Sequence, residues 1–161
     1  TENTENTENT ENTENTENTE NKTVKSYILN PTLENLFNMD IYCLEINRAN
    51  YIVPLWHEQV YFESEEFNIV ISNKLQLPNN CSIDENNDLH ILVKQDIQSC
   101  LKEKFITVNI GKKVFEIPCD KLYVKEKQIY KIYNKGVPKI DTNNILNVDK
   151  LADIIFHIFL Y

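Results

Sequence analysis

Apolar and polar residues alternate along most of this chain. Leu89-His90-Ile91-Leu92-Val93-Lys94, Phe105-Ile106-Thr107-Val108-Asn109-Ile110, Val114-Phe115-Glu116-Ile117 and Ile154-Ile155-Phe156-His157-Ile158-Phe159 are strand-length runs rich in β-branched and aromatic residues. Such residues pack well on a pleated sheet. Turn formers separate the runs at Pro78-Asn79-Asn80, Asp84-Glu85-Asn86-Asn87-Asp88, Gly111-Lys112-Lys113 and Gly136-Val137-Pro138. The pattern predicts an all-β protein built from antiparallel strands.

Two segments depart from alternation. Pro31-Thr32-Leu33-Glu34-Asn35-Leu36-Phe37 offers a Thr cap and apolar positions at helical spacing, and Asp96-Ile97-Gln98-Ser99-Cys100-Leu101 has the same character. Each short helix feeds a strand, which points to two similar β units in tandem.

The first 21 residues are Thr-Glu-Asn repeated seven times. With nothing to bury, this tract is expected to be disordered. It carries seven of the 25 acidic residues and none of the 16 basic ones, so the remainder is nearly neutral. A nucleic-acid-binding domain usually gathers a basic excess, so none is expected here. No apolar run reaches membrane-spanning length and no signal peptide is visible, so a cytoplasmic, membrane-free protein is expected. Cys43, Cys81, Cys100 and Cys119 are dispersed without a CxxC pair, which favours buried free thiols over a zinc site. No metal or other cofactor is expected.

Nucleophile elbows, phosphate loops and HExxH are missing from the sequence, so an enzyme is not expected. Trp56-His57-Glu58 is the strongest isolated candidate for chemistry, but adjacent strand residues point to opposite faces and a structural role is favoured. His90 and His157 lie inside alternating strands and motivate no site. The two glycines, Gly111 and Gly136, are expected in turns with positive φ.

With the strands placed, residues 87–161 resemble the second C-terminal β-domain of DnaJ-type co-chaperones, the 40-kDa heat-shock family. The matching pieces are Asn87-Asp88-Leu89, Ile97-Gln98-Ser99-Cys100-Leu101, Ile110-Gly111-Lys112, Asn134-Lys135-Gly136-Val137-Pro138 and Ala152-Asp153-Ile154-Ile155-Phe156-His157-Ile158. Thr32-Leu33-Glu34-Asn35-Leu36-Phe37 is similar to the segment that opens the family's first β-domain, and Cys43-Leu44-Glu45-Ile46 falls on the strand after it. The resemblance implies two tandem antiparallel sandwich-like units, a shortened first one over residues 22–86 and a second over 87–161, forming a module that binds hydrophobic segments of unfolded client proteins through Leu33, Leu44 and Ile46. In the full-length protein it also implies a link to the 70-kDa heat-shock chaperone, and a homodimer if a C-terminal helix follows.

The sequence carries no HPD signature, Gly/Phe linker or CxxCxGxG repeat, so the likeness is to the C-terminal part of the zinc-free type. Asp40 and Glu45 stand where the family places lysines for the chaperone's acidic tail. An acid facing an acid is repulsive, so the apolar groove is expected without that clamp. The alternative is a degenerate, non-catalytic β scaffold or interaction domain of a larger protein.

Removing Thr1 to Asn21 should leave the melting temperature unchanged, because the tract has no apolar group to bury. A loss of several degrees on thermal denaturation would show that it packs on the rest.

Overall fold

The computed structural model describes residues 22–161, so the expected disorder of the Thr-Glu-Asn tract lies outside the described residues. The fold is all-β, with several small sheets and two short helices. It divides into two compact units after Gln76. The first holds β1 (Thr23–Leu29), α1 (Leu33–Phe37), β2 (Ile41–Ile46), β3 (Ala49–Pro54), β4 (Gln59–Glu63) and β5 (Phe67–Asn73). The second holds β6 (Cys81–Ile83), β7 (Leu89–Gln95), α2 (Ile97–Lys102), β8 (Phe105–Ile110), β9 (Lys113–Pro118), β10 (Lys127–Ile132) and β11 (Ile154–Leu160). The division precedes the expected one at residue 86 because β6 pairs with β7.

Both units share one topology. In the first, β1 pairs parallel with β5 and β5 pairs antiparallel with β4. In the second, β7 pairs parallel with β11 and β11 pairs antiparallel with β10. A helix and a hairpin, β2–β3 or β8–β9, lie between the first strand and the last two. The central pairings therefore differ from the antiparallel expectation. Parallel neighbours need a long crossover, and the helix and hairpin supply it.

The correspondence extends to single residues. One constant shift in numbering carries the cap Thr32 to the cap Asp96, the pair Ile41↔Pro54 to Phe105↔Pro118, and the bond from Leu55 N–H to Asp40 C=O onto that from Cys119 N–H to Lys104 C=O. Each hairpin thus ends in a proline at a non-hydrogen-bonded position, where the missing N–H costs the ladder nothing. Buried Leu36, Ile46 and Val53 map to buried Cys100, Ile110 and Ile117. The second unit differs chiefly by adding β6 and by lengthening the β10–β11 connection to residues 133–153.

Local chemistry explains the elements. Thr32 Oγ1 accepts from the Asn35 N–H at 3.3 Å while the Asn35 side chain accepts from the Thr32 N–H at 2.8 Å, a reciprocal cap for α1. Asp96 accepts from the Ser99 N–H at 3.0 Å and caps α2. The β2–β3 turn is Asn47-Arg48, both at positive φ, as the two-residue type I′ turn demands. In β8–β9 only the first turn residue, Gly111, has positive φ, at 58°, as expected for it. Phe67, Ile69 and Ile71 of β5 fill the first core, and Leu89, Ile91, Ile154, Phe156 and Ile158 the second.

Gly136 corrects the sequence expectation. It has no positive φ; that conformation falls to Asn134, at 57°. A Cβ on Gly136 would stand 2.9 Å from the Ala152 carbonyl oxygen, so glycine is required by close backbone approach. The contact belongs to a polar knot. Gly136 N–H donates to Ala152 C=O at 2.8 Å, Asn134 N–H to the Asp153 carboxylate at 2.9 Å, Asp153 N–H to the Asp88 carboxylate at 2.8 Å, and the Asn87 side chain to Pro138 C=O at 3.0 Å. The Asn87-Asp88-Leu89, Asn134 to Pro138 and Ala152-Asp153 pieces are thus one structural junction.

The two glycines should respond differently to substitution. Gly111→Asn should cost less than about 1 kcal/mol, from the positive φ alone, since open space surrounds the position and asparagine is among the residues least penalised there. Gly136→Asn and Gly136→Ala should each cost about 1–3 kcal/mol from forced backbone displacement. Denaturant unfolding of the three variants checks this, and equal losses at both sites would contradict the distinction.

Candidate functional site

Leu33, Leu44 and Ile46 belong to the first unit, but they are not equally accessible. Leu33 on α1 is 4% exposed and Ile46 at the end of β2 is 7% exposed, so both are core residues. Leu44 is half-buried. Its counterpart in the second unit, Val108, is only 7% exposed. The same point of the fold is thus partly exposed in one unit and buried in the other. Asp40 is tied inward, accepting from the Asn35 side chain at 2.9 Å. Glu45 is exposed.

What surrounds Leu44 is a free strand edge. Among the described residues β2 pairs with β3 alone. The Leu55 N–H to Asp40 C=O bond and the two-residue turn fix the ladder, so Tyr42, Leu44 and Ile46 bond inward to β3. Ile41, Cys43 and Glu45 therefore aim their N–H and C=O groups away from it. An extended peptide laid along β2 would meet these backbone groups, with half-buried Tyr42 and Leu44 on one face and exposed Ile41 and Cys43 on the other. The edge is neutral apart from Glu45.

The other sequence candidates are dispersed. Trp56 and His57 are buried in the β3–β4 turn while Glu58 is exposed. The buried Asn73 side chain holds that turn, donating to Pro54 C=O at 3.1 Å and to His57 C=O at 2.7 Å. Of the cysteines only Cys100 is buried; Cys43 is exposed and Cys81 and Cys119 are intermediate, which corrects the expectation of buried thiols. Burial, then a hydrogen bond with Cys100, pushes the Cys119 thiol up to about 11, so it stays protonated and unreactive at neutral pH. No group of three or more potential metal ligands occurs among the described residues, and no helix there is long and apolar enough to cross a membrane.

The structure assembles a cluster that alternation did not suggest. Parallel pairing of β7 and β11 sets His90 Nδ1 2.8 Å from His157 Nε2, and His90 Nε2 2.8 Å from an Asp84 carboxylate oxygen. Asp84 also accepts from the N–H groups of Asn86 and Asp88, each at 3.0 Å. Burial alone would raise its pKa, but these hydrogen bonds outweigh burial and hold it below the usual carboxylate value. The His157 pKa is lowered by burial first and by neighbouring His90 second. Burial favours the neutral His157 ring, and the hydrogen bond between the two rings holds it in place.

This fixes the sign of an acid effect. A lowered histidine pKa means that the unfolded chain binds more protons than the folded one, so stability falls as pH drops through the ordinary value of 6.5. The lowered Asp84 pKa acts in the same direction at lower pH. The melting temperature should therefore fall between about pH 7.5 and about pH 5.5, and His157→Asn should flatten that slope. Thermal melts of both proteins across the range test it; parallel slopes would deny His157 the role.

No known protein family matches this sequence, and no curated protein matches it.

Proposed function

We propose that this chain is a non-catalytic client-binding module that takes extended apolar segments of unfolded proteins, in the manner of the C-terminal domains of DnaJ-type co-chaperones. The observation that carries the reading is the free β2 edge beside a half-buried Leu44, whose counterpart in the second unit, Val108, is buried. The client strand would bond to the backbone of Ile41, Cys43 and Glu45 and cover Tyr42 and Leu44. Leu33 and Ile46 would act from beneath, shaping the floor rather than touching the client. Backbone bonding supplies affinity without sequence preference, as suits a binder of many clients.

The tandem arrangement of like units and the convergence of the resembling segments into one junction also support this family reading. In a longer protein the module would present clients to a 70-kDa heat-shock chaperone. Glu45 at the edge disfavours acidic segments, so clients taken here would be neutral or basic.

The test is titration of the whole chain with a labelled, uncharged peptide of Val, Thr and Leu. Saturable binding is expected. Cys43→Pro removes an outward N–H while leaving the β2–β3 ladder intact, so it should weaken binding by about tenfold or more with the circular dichroism unchanged. Leu44→Asp should do the same from the side-chain face. Failure of the unmodified chain to bind, or indifference to both variants, would favour a plain β scaffold.

A further inference from the structure

The second unit carries its own open groove, of about 570 Å3, on the face of the sheet formed by β7, β11 and β10. Leu92, Ile129 and Phe159 supply its apolar surface and Lys121, Lys125 and Lys127 its charge, with no carboxylate among the lining residues. Ile129 is 58% exposed. We propose that the free edge of β10 is a docking site for an extended segment of a partner protein in which acidic, apolar and acidic side chains fall at every second position.

The register gives this pattern. Leu160 N–H donates to Glu126 C=O at 2.8 Å, which makes Glu126 and Leu160 a hydrogen-bonded pair next to Lys127↔Phe159. Alternation then turns the N–H and C=O groups of Lys127, Ile129 and Lys131 to the free edge. Their side chains are exposed and share a face with His157 and Phe159. A strand added here sets every second residue beside them, so carboxylates meet Lys127 and Lys131 and an apolar residue meets Ile129. Lys127 Nζ already lies over the Phe159 ring, 5.1 Å from its centroid, joining charge to apolar surface.

The first unit shows that the fold does not require these lysines. Its β4 edge occupies the equivalent place, with Asn73 N–H bonded to Glu58 C=O at 2.8 Å, and presents Gln59, Tyr61 and Glu63. Two other occupants fit worse. A second copy pairing β10 with β10 about Ile129 sets Lys127 against Lys131, like charge against like. The chain's own Thr-Glu-Asn tract repeats every third residue rather than every second and has no apolar side chain. The site is independent of the client edge, lying in the other unit and carrying the opposite charge.

Fluorescence anisotropy on the whole chain at low salt tests the proposal, with labelled Thr-Glu-Thr-Val-Thr-Glu-Thr as probe. Saturable binding is expected, and a peptide of the same composition in scrambled order, or three Thr-Glu-Asn repeats, should bind about tenfold or more weakly. The Lys127→Glu, Lys131→Glu double variant and Ile129→Asp should each weaken the probe by about tenfold, while Cys43→Pro should leave it unaffected. Should the double variant fail to fold, Lys125→Glu, outside the strands, should weaken binding about threefold. Equal binding of the scrambled peptide would reduce the site to unspecific charge and overturn the proposal, as would indifference to the groove variants. Self-association abolished by Lys127→Glu would also overturn it, by making a second copy's Gln59-Tyr61-Glu63 edge the occupant.

Discussion

The parallel pairing of the first and last long strands within each unit is the constraint on which the rest depends. In the first unit Thr23↔Phe67 through Leu29↔Asn73 lie side by side, and in the second Leu89↔Ile154 through Gln95↔Leu160 do the same. Two parallel strands cannot be joined by a tight turn, so everything between them must leave the sheet and return. A short capped helix begins that excursion and a hairpin forms its body. The buried residues of the hairpins, Ile46 and Val53 in one unit and Ile110 and Ile117 in the other, anchor it to the core. The last strand must also accept an antiparallel neighbour on its other side, which leaves β4 and β10 as edges.

Hairpins and helices were legible in the sequence because their signals are local. Gly111 marks a two-residue turn, Thr32 and Asp96 mark helix starts, and β-branched alternation marks β7, β8, β9 and β11. The β2–β3 turn was harder to read, since Asn47-Arg48 fills positive φ without glycine. Parallel pairing was not legible at all. A period of two tells which face a residue takes, not which strand lies beside it, so β1 with β5 and β7 with β11 had to be seen. The same blindness hid the His90–His157 contact, which joins residues far apart in sequence only through the β7/β11 register. Gly136 misled for a related reason: its need is set by Ala152, across a long connection.

The candidate site was partly legible. The apolar character of Leu33, Leu44 and Ile46 was plain, but burial depends on what packs above each residue, and only Leu44 keeps access to solvent. The more informative feature is the backbone. Which N–H groups face outward follows from the hairpin register, and register follows from the turn. The accessible part of the β2 edge thus depends on the conformation of Asn47 and Arg48, two residues that would not be singled out as functional by type.

Two units with one topology permit a division of labour that a single unit cannot. Where positions correspond, the fold requirement is common to both, so differences between them report something other than folding. Leu36 and Cys100, or Val53 and Ile117, serve the same purpose, each filling its own unit's core. Gln59, Tyr61 and Glu63 against Lys127, Ile129 and Lys131 are not, because these side chains lie on exposed edges and differ in charge. Lysines on an edge discourage pairing with a like edge, yet they do so here without screening the apolar Ile129 between them. An edge that repels its own kind while keeping an apolar centre rejects the commonest wrong partner and retains a reason for the right one, which is how specificity arises at a surface whose backbone would otherwise accept any strand.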